Sequence, residues 1–119
     1  MFSNADANAQ YPRVLTGRIE EDLALYPVVA VMGARQVGKS TLCRQIAAKR
    51  GLPFRTLDER ESLEQALGDP EGFLADLGDD GGFIDEVQRA PSLFLAIKAV
   101  VDRDQRPGLY LLSGSNQPK

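Results

Sequence analysis

The chain has 119 residues, 43% of them hydrophobic and 26% charged, with a formal charge of −3. That suits one globular domain with a core of modest size. Histidine is absent and cysteine occurs once, at Cys43, which excludes an imidazole-based catalytic triad, a histidine zinc site and an internal disulfide.

Charge is unevenly placed: residues 1–57 carry 8 basic and 4 acidic side chains, residues 58–86 carry 1 and 11, and residues 87–119 carry 5 and 2. An acidic middle of this kind reads as solvated helix and loop surface. It repels nucleic acid, and no basic cluster with interleaved aromatics stands elsewhere, so there is no direct nucleic-acid signal. No apolar run approaches the roughly 18 residues of a membrane span, and a cytoplasmic location is the default expectation.

Residues 1–10 are small and polar and are expected to be a flexible leader. From Arg18 to Tyr26, Ile19, Leu23 and Tyr26 recur at helical spacing, and Pro27 closes a short amphipathic helix. Val28 to Met32 form a continuous, mostly β-branched run, as expected of a strand buried on both faces of a parallel sheet. A helix over about 39–49 follows, with Leu42, Cys43, Ile46 and Ala47 on one stripe and Gly51 placed to cap its end.

Phe54 to Leu57 predict a second strand, and residues 60–77 one or two helices interrupted at Gly68-Asp69-Pro70. Residues 78–82 are a glycine-rich loop, after which Phe83 and Ile84 lead a third strand into Asp85 and Glu86. Pro91 opens a helix facing its neighbours with Leu93, Ile97, Val100 and Val101. Leu109 to Leu112 make a fourth strand that stops at Ser113-Gly114-Ser115. A helix followed by β-α-β-α-β-α-β specifies an α/β fold with a parallel sheet of about four strands.

The segment Gly33-Ala34-Arg35-Gln36-Val37-Gly38-Lys39-Ser40 fits the phosphate-loop pattern G-x-x-x-x-G-K-[ST], with Thr41 directly after it. Its glycines let backbone N–H groups turn inward around phosphate oxygens, and the helix that starts there adds its positive end. Lys39 is placed to reach the β- and γ-phosphates, Ser40 to put its hydroxyl on Mg2+, and Thr41 to contact the α-phosphate side. The motif falls between a predicted buried strand and a helix, which is the context it requires.

Asp85 and Glu86 end the third strand. Alternation along a strand gives them different faces, so Asp85 is expected to hold magnesium through its water shell and Glu86 to polarise the attacking water. Ser113 lies at the C-terminal end of the last strand, where ligands of open parallel sheets sit, and its hydroxyl is placed to bond the γ-phosphate or the attacking water. Arg35 either contacts phosphate or pairs with an acid; Arg89 is read as orienting Glu86 or pairing with another acid, with nucleotide contact as the alternative. Cys43 reads as core.

Three segments together, Gly33 to Leu42, Phe83-Ile-Asp-Glu-Val-Gln-Arg-Ala-Pro91 and Leu111-Leu-Ser-Gly-Ser115, resemble prokaryotic AAA-domain ATPases. Those carry a G-P-R-Q-V-G-K-T loop, an F-I-D-E-I-Q-R-A-P segment and an L-T-G-S strand end. The resemblance covers about residues 11–117, with Ala34 in place of proline and Ser113 in place of threonine. It implies a three-layer P-loop NTPase-type sheet, a Walker A loop over Gly33 to Thr41, a Walker B pair at Asp85 and Glu86, a sensor-like position at Ser113 to Ser115, and ATP with Mg2+ as ligands.

Family members are longer, with a fifth core strand beside the first and a helical lid, so residues 11–119 are expected to form a partial domain, weak or inactive alone. An open edge at Val28 to Met32 then predicts self-association unless residues 11–16 cover it. The absence of an N-K-x-D segment favours ATP over GTP. A small phosphoryl-transfer kinase and a non-catalytic oligomerisation module remain alternatives.

Overall fold

The computed structural model describes residues 2–4, 12–33 and 38–115. A single parallel sheet runs through it. Its strands are β1 (Phe2–Asn4), β2 (Val28–Val31), β3 (Phe54–Thr56), β4 (Gly82–Asp85) and β5 (Tyr110–Ser113), in the spatial order β1-β2-β5-β4-β3. Register is continuous across the centre, where Val28 pairs with Tyr110 and Gly82 also pairs with Tyr110.

Strand alternation divides the core into two apolar layers. Val29, Val31, Phe83 and Leu111 point to one face and meet Leu15, Ile19 and Leu23 of α1 (Pro12–Leu23) with Cys43, Ile46 and Ala47 of α2 (Lys39–Arg50). Val28, Ile84, Tyr110 and Leu112 point to the other face. There they meet α3 (Arg60–Gly68), α4 (Pro70–Leu77) and α5 (Ser92–Arg103) through Ala66, Phe73, Leu77, Leu93, Ile97 and Val101. Both faces are therefore covered, as a parallel sheet requires. Each fully buried valine, leucine, isoleucine or phenylalanine among them contributes about 1.5–3 kcal/mol. The expected three-layer α/β architecture and the four expected strands are present.

Local chemistry sets the breaks. Gly51, at φ 73°, ends α2: its N–H donates to Ala48 and the N–H of Leu52 to Ala47, a Schellman arrangement that satisfies the last carbonyls. Asp69 separates α3 from α4 and caps the latter, its Oδ1 accepting from the Gly72 N–H at 3.0 Å, with Pro70 in the first turn. Gly81, at φ 82°, leads into β4 so closely over Leu109 that a Cβ there would stand 1.7 Å from the Leu109 carbonyl oxygen.

Three expectations change. The first helix begins at Pro12 and ends at Leu23, so Tyr26 lies beyond it; a residue before proline is disfavoured in helical conformation, and Pro27 enforces that. Phe2–Asn4, expected within a flexible leader, instead pair in parallel with Val28–Ala30 as the outer strand; residues 1 and 5–11 lie outside the described residues. The edge of β2 is therefore occupied by residues 2–4, while 12–16 belong to a helix on its face, and self-association through an open β2 edge loses its structural basis.

Candidate functional site

The C-terminal ends of β2, β4 and β5 converge at one end of the sheet. β2 delivers the chain to Gly33, and α2 starts at Lys39 after Gly38, whose φ of 90° is a left-handed value that glycine adopts at low cost. The first residues of that helix point toward the ends of the two central strands. Ala34, Arg35, Gln36 and Val37, read as the crown of the phosphate loop, lie outside the described residues.

Asp85 is the hub. Its carboxylate is buried, and Oδ1 accepts from the Ser113 hydroxyl at 2.6 Å and from the Ser40 hydroxyl at 3.1 Å, while Oδ2 accepts from the Thr56 hydroxyl at 3.3 Å. Residues 40, 85 and 113, from three separate motifs, thus share one oxygen atom. Lys39 is buried beside them, its ammonium donating to the carbonyl of Gly114. Thr41 is exposed on the first turn of α2.

Ser113 ends β5, as expected, and its hydroxyl donates to the Asp85 carboxylate. Thr56 was not singled out from the sequence. It reaches Asp85 because β3 pairs with β4 in a register that sets Thr56 opposite Asp85, and that adjacency has no local sequence signal. Its oxygen also accepts from the Asp58 N–H at 3.2 Å.

Glu86 is buried next to Asp85 but not by strand alternation. β4 ends at Asp85, and Glu86 takes φ 57° and ψ 41°, the one non-glycine residue with positive φ among those described. A glutamate held there is strained by roughly 1–3 kcal/mol, and such strain clusters at functional sites. The kink throws the chain into a 3-10 turn over Val87–Arg89. Glu86 Oε1 accepts from Gln88 Nε2 at 3.4 Å, a second contact that the sequence reading did not anticipate. Arg89 resolves to the acid-pairing alternative: its Nη1 donates to Asp58 at 3.1 Å and to the Leu57 carbonyl at 3.2 Å.

The oxygen set suits magnesium. Ser40 and Asp85 offer one hydroxyl and one carboxylate, and among the described residues no group of three or more histidine, cysteine, aspartate or glutamate side chains could hold a metal ion. Mg2+ keeps most of its waters and takes one or two protein oxygens plus phosphate, so a sparse hard-oxygen site fits it. Cys43, beneath the site on α2, has its thiol pushed up to about 12 by burial first and the Asp85 charge second, with Lys39 opposing. It is protonated core, not a nucleophile. A separate cleft of about 740 Å3 lies between α4 and α5 at the opposite end of the strands, bordered by Leu74, Val100 and Tyr110, and contains none of the motif residues.

The geometry agrees with the comparisons to known proteins. Two uncharacterized proteins, one from Mycobacterium bovis and one from Mycobacterium tuberculosis, are each 37% identical to this chain over 108 residues, or 89% of it. The chain spans only 24% of the length of either relative. No solved structure matches it. No helix among the described residues is long and apolar enough to cross a membrane. A family model described as an AAA domain matches residues 25–119, and the chain belongs to that family.

Proposed function

We propose that the chain binds ATP with Mg2+ at the C-terminal ends of β2, β4 and β5 and supports hydrolysis of the γ-phosphate, weakly when this segment acts alone. One observation carries the reading: the hydroxyls of Ser40 and Ser113 meet on the same Asp85 oxygen, tying the phosphate-loop, carboxylate and last-strand motifs into one site.

In this reading residues 33–41 cradle the phosphates, and Lys39 exchanges the Gly114 carbonyl for phosphate oxygens. Ser40 and Asp85 hold Mg2+, which when bound neutralises phosphate charge. Glu86 accepts the proton of the attacking water, and Ser113 fixes the Asp85 carboxylate. Adenine is favoured over guanine only by the missing N-K-x-D segment.

Titration calorimetry of the chain with Mg-ATP, beside Lys39→Ala and with oligomeric state recorded on the same samples, tests this. The parent should bind and Lys39→Ala should weaken binding by about a hundredfold, the loss of a charge-assisted phosphate contact worth roughly 2.7 kcal/mol. A folded parent without affinity for Mg-ATP overturns the reading. Release of inorganic phosphate without an added acceptor separates hydrolysis from the phosphoryl-transfer alternative. An assembly indifferent to Lys39→Ala and to nucleotide favours the interaction module.

A further inference from the structure

The amide of Gln88 lies between two parts of the site. Its nitrogen donates to Glu86 Oε1 at 3.4 Å, and because a carboxylate only accepts, the nitrogen must be the atom on that side. The carbonyl end is therefore turned away from Glu86. Gln88 Oε1 is buried with no hydrogen-bond donor among the described residues, and it occupies the space beside Gly114 so fully that a Cβ at 114 would stand 2.1 Å from it. Burying an acceptor without a donor is unfavourable, so the amide is held in this orientation by its surroundings. Those surroundings are the 3-10 turn, closed by the Arg89 N–H on the Glu86 carbonyl and the Ala90 N–H on the Val87 carbonyl, both at 3.1 Å, and the main chain of residue 114. The carbonyl of that same residue takes the Lys39 ammonium.

We propose that Gln88 is the positioning residue for Glu86, wedged against the backbone of residue 114 so that the Glu86 carboxylate is aimed at the attacking water, and that residue 114 is glycine to admit the wedge. The role rests on the reading of Glu86 as the group that activates water. Gln88 orients and does not itself touch the nucleotide. Its contribution belongs to the chemical step, so its loss lowers kcat and leaves the affinity for Mg-ATP in place. A side chain at 114 meets the same amide first, at 2.1 Å, and the flexible end of Met32 second, at 2.8 Å, so the two substitutions share the amide as their main point of action.

The test measures kcat and KM for Mg-ATP hydrolysis, and Mg-ATP affinity by calorimetry, on the full chain, Gln88→Leu, Gly114→Ala and the double variant. Gln88→Leu should lower kcat by about tenfold or more with KM and affinity within about twofold. Gly114→Ala should lower kcat to a similar extent, and the double variant should be no slower than the slower single one, since non-additivity marks a shared effect. If Gly114→Ala does not fold, Gln88→Met, which keeps the length without the amide, replaces it as the second variant and should match Gln88→Leu.

A Gln88 variant that keeps kcat within about twofold, a loss carried by KM, or losses that multiply in the double variant each overturn the proposal while leaving the nucleotide site standing. A parent that binds Mg-ATP without turning it over overturns the positioning role but not nucleotide binding. A folded parent that does not bind Mg-ATP overturns both.

Discussion

At the end of the sheet where β4 and β5 begin, Arg106 donates to Asp80 at 2.9 Å and to Asp104 at 2.8 Å, with the arginine 54% and Asp80 88% exposed. At the end where those strands finish, Asp85 is buried and held by the hydroxyls of Ser40, Thr56 and Ser113. The first cluster is neutralised in solvent: hydrogen bonds from Arg106 hold the Asp104 carboxyl below the usual carboxylate range, and Asp104 and Asp80 in turn raise the guanidinium. It fastens two loops and is screened. The second keeps a carboxylate out of water and surrounds it with neutral hydroxyl donors. Exposed charge fastens this molecule, while sheltered charge equips it.

Substitutions at the two ends should separate these roles. The largest effect on folding is expected from Gly81→Ala, which combines a left-handed φ with a collision against the Leu109 carbonyl. Chemical denaturation should show a loss of about 3 kcal/mol from strain and overpacking together. A smaller loss there would mean that the start of β4 yields and that the lower end is softer than its contacts suggest. Next comes Asp85→Asn, which keeps shape but not charge. The chain should fold, and ATP affinity in magnesium should drop by about tenfold, to the level seen with chelator. Retention of a magnesium effect would place the cation elsewhere.

Cys43 gives a pH signature of the sheltered end. Burial, with the Asp85 charge second, pushes its thiol up to about 12 in the folded chain from an ordinary 9.0. The folded state therefore binds its proton more tightly, and the resulting stability is complete below pH 9 and is lost as pH rises from 9 toward 12. Denaturation midpoints should show a slope of at most about 1.4 kcal/mol per pH unit in that window. Cys43→Ala should remove this part of the slope. The smallest effect is expected from Arg106→Ala, whose modest destabilisation should vanish in about 1 M salt. An Arg106 effect that survives salt would break the contrast between the two ends.

Much of this arrangement is legible in the chain because it depends on short-range pattern. Val28 to Val31, Phe83-Ile84 and Leu109 to Leu112 are apolar without alternation, as doubly covered strands must be, and Gly51 and Asp69 mark helix ends by their local chemistry. Gly33 to Ser40, Asp85 and Ser113 each end or follow such a strand, and parallel topology carries strand ends to one side.

What escapes the sequence is set by partners far along the chain. Phe2–Asn4 carry no strand signal of their own and become one by pairing with Val28–Ala30. Thr56 becomes a partner of Asp85 only once β3 lies beside β4. The left-handed backbone at Glu86, where the strand ends and the carboxylate accepts from Gln88, is a conformation that a glutamate rarely signals.

The pairing of β1 with β2 has a dynamic consequence. β2 is hydrogen-bonded on both sides, by β1 and by β5, and it leads directly to Gly33. With partners on both flanks from Val28 to Ala30, β2 opens only in larger, rarer fluctuations than a strand paired on one side. Amide hydrogens of β2 should accordingly exchange slowly, and those of Val28 to Ala30, paired on both sides, more slowly than those of β1 at the margin of the sheet.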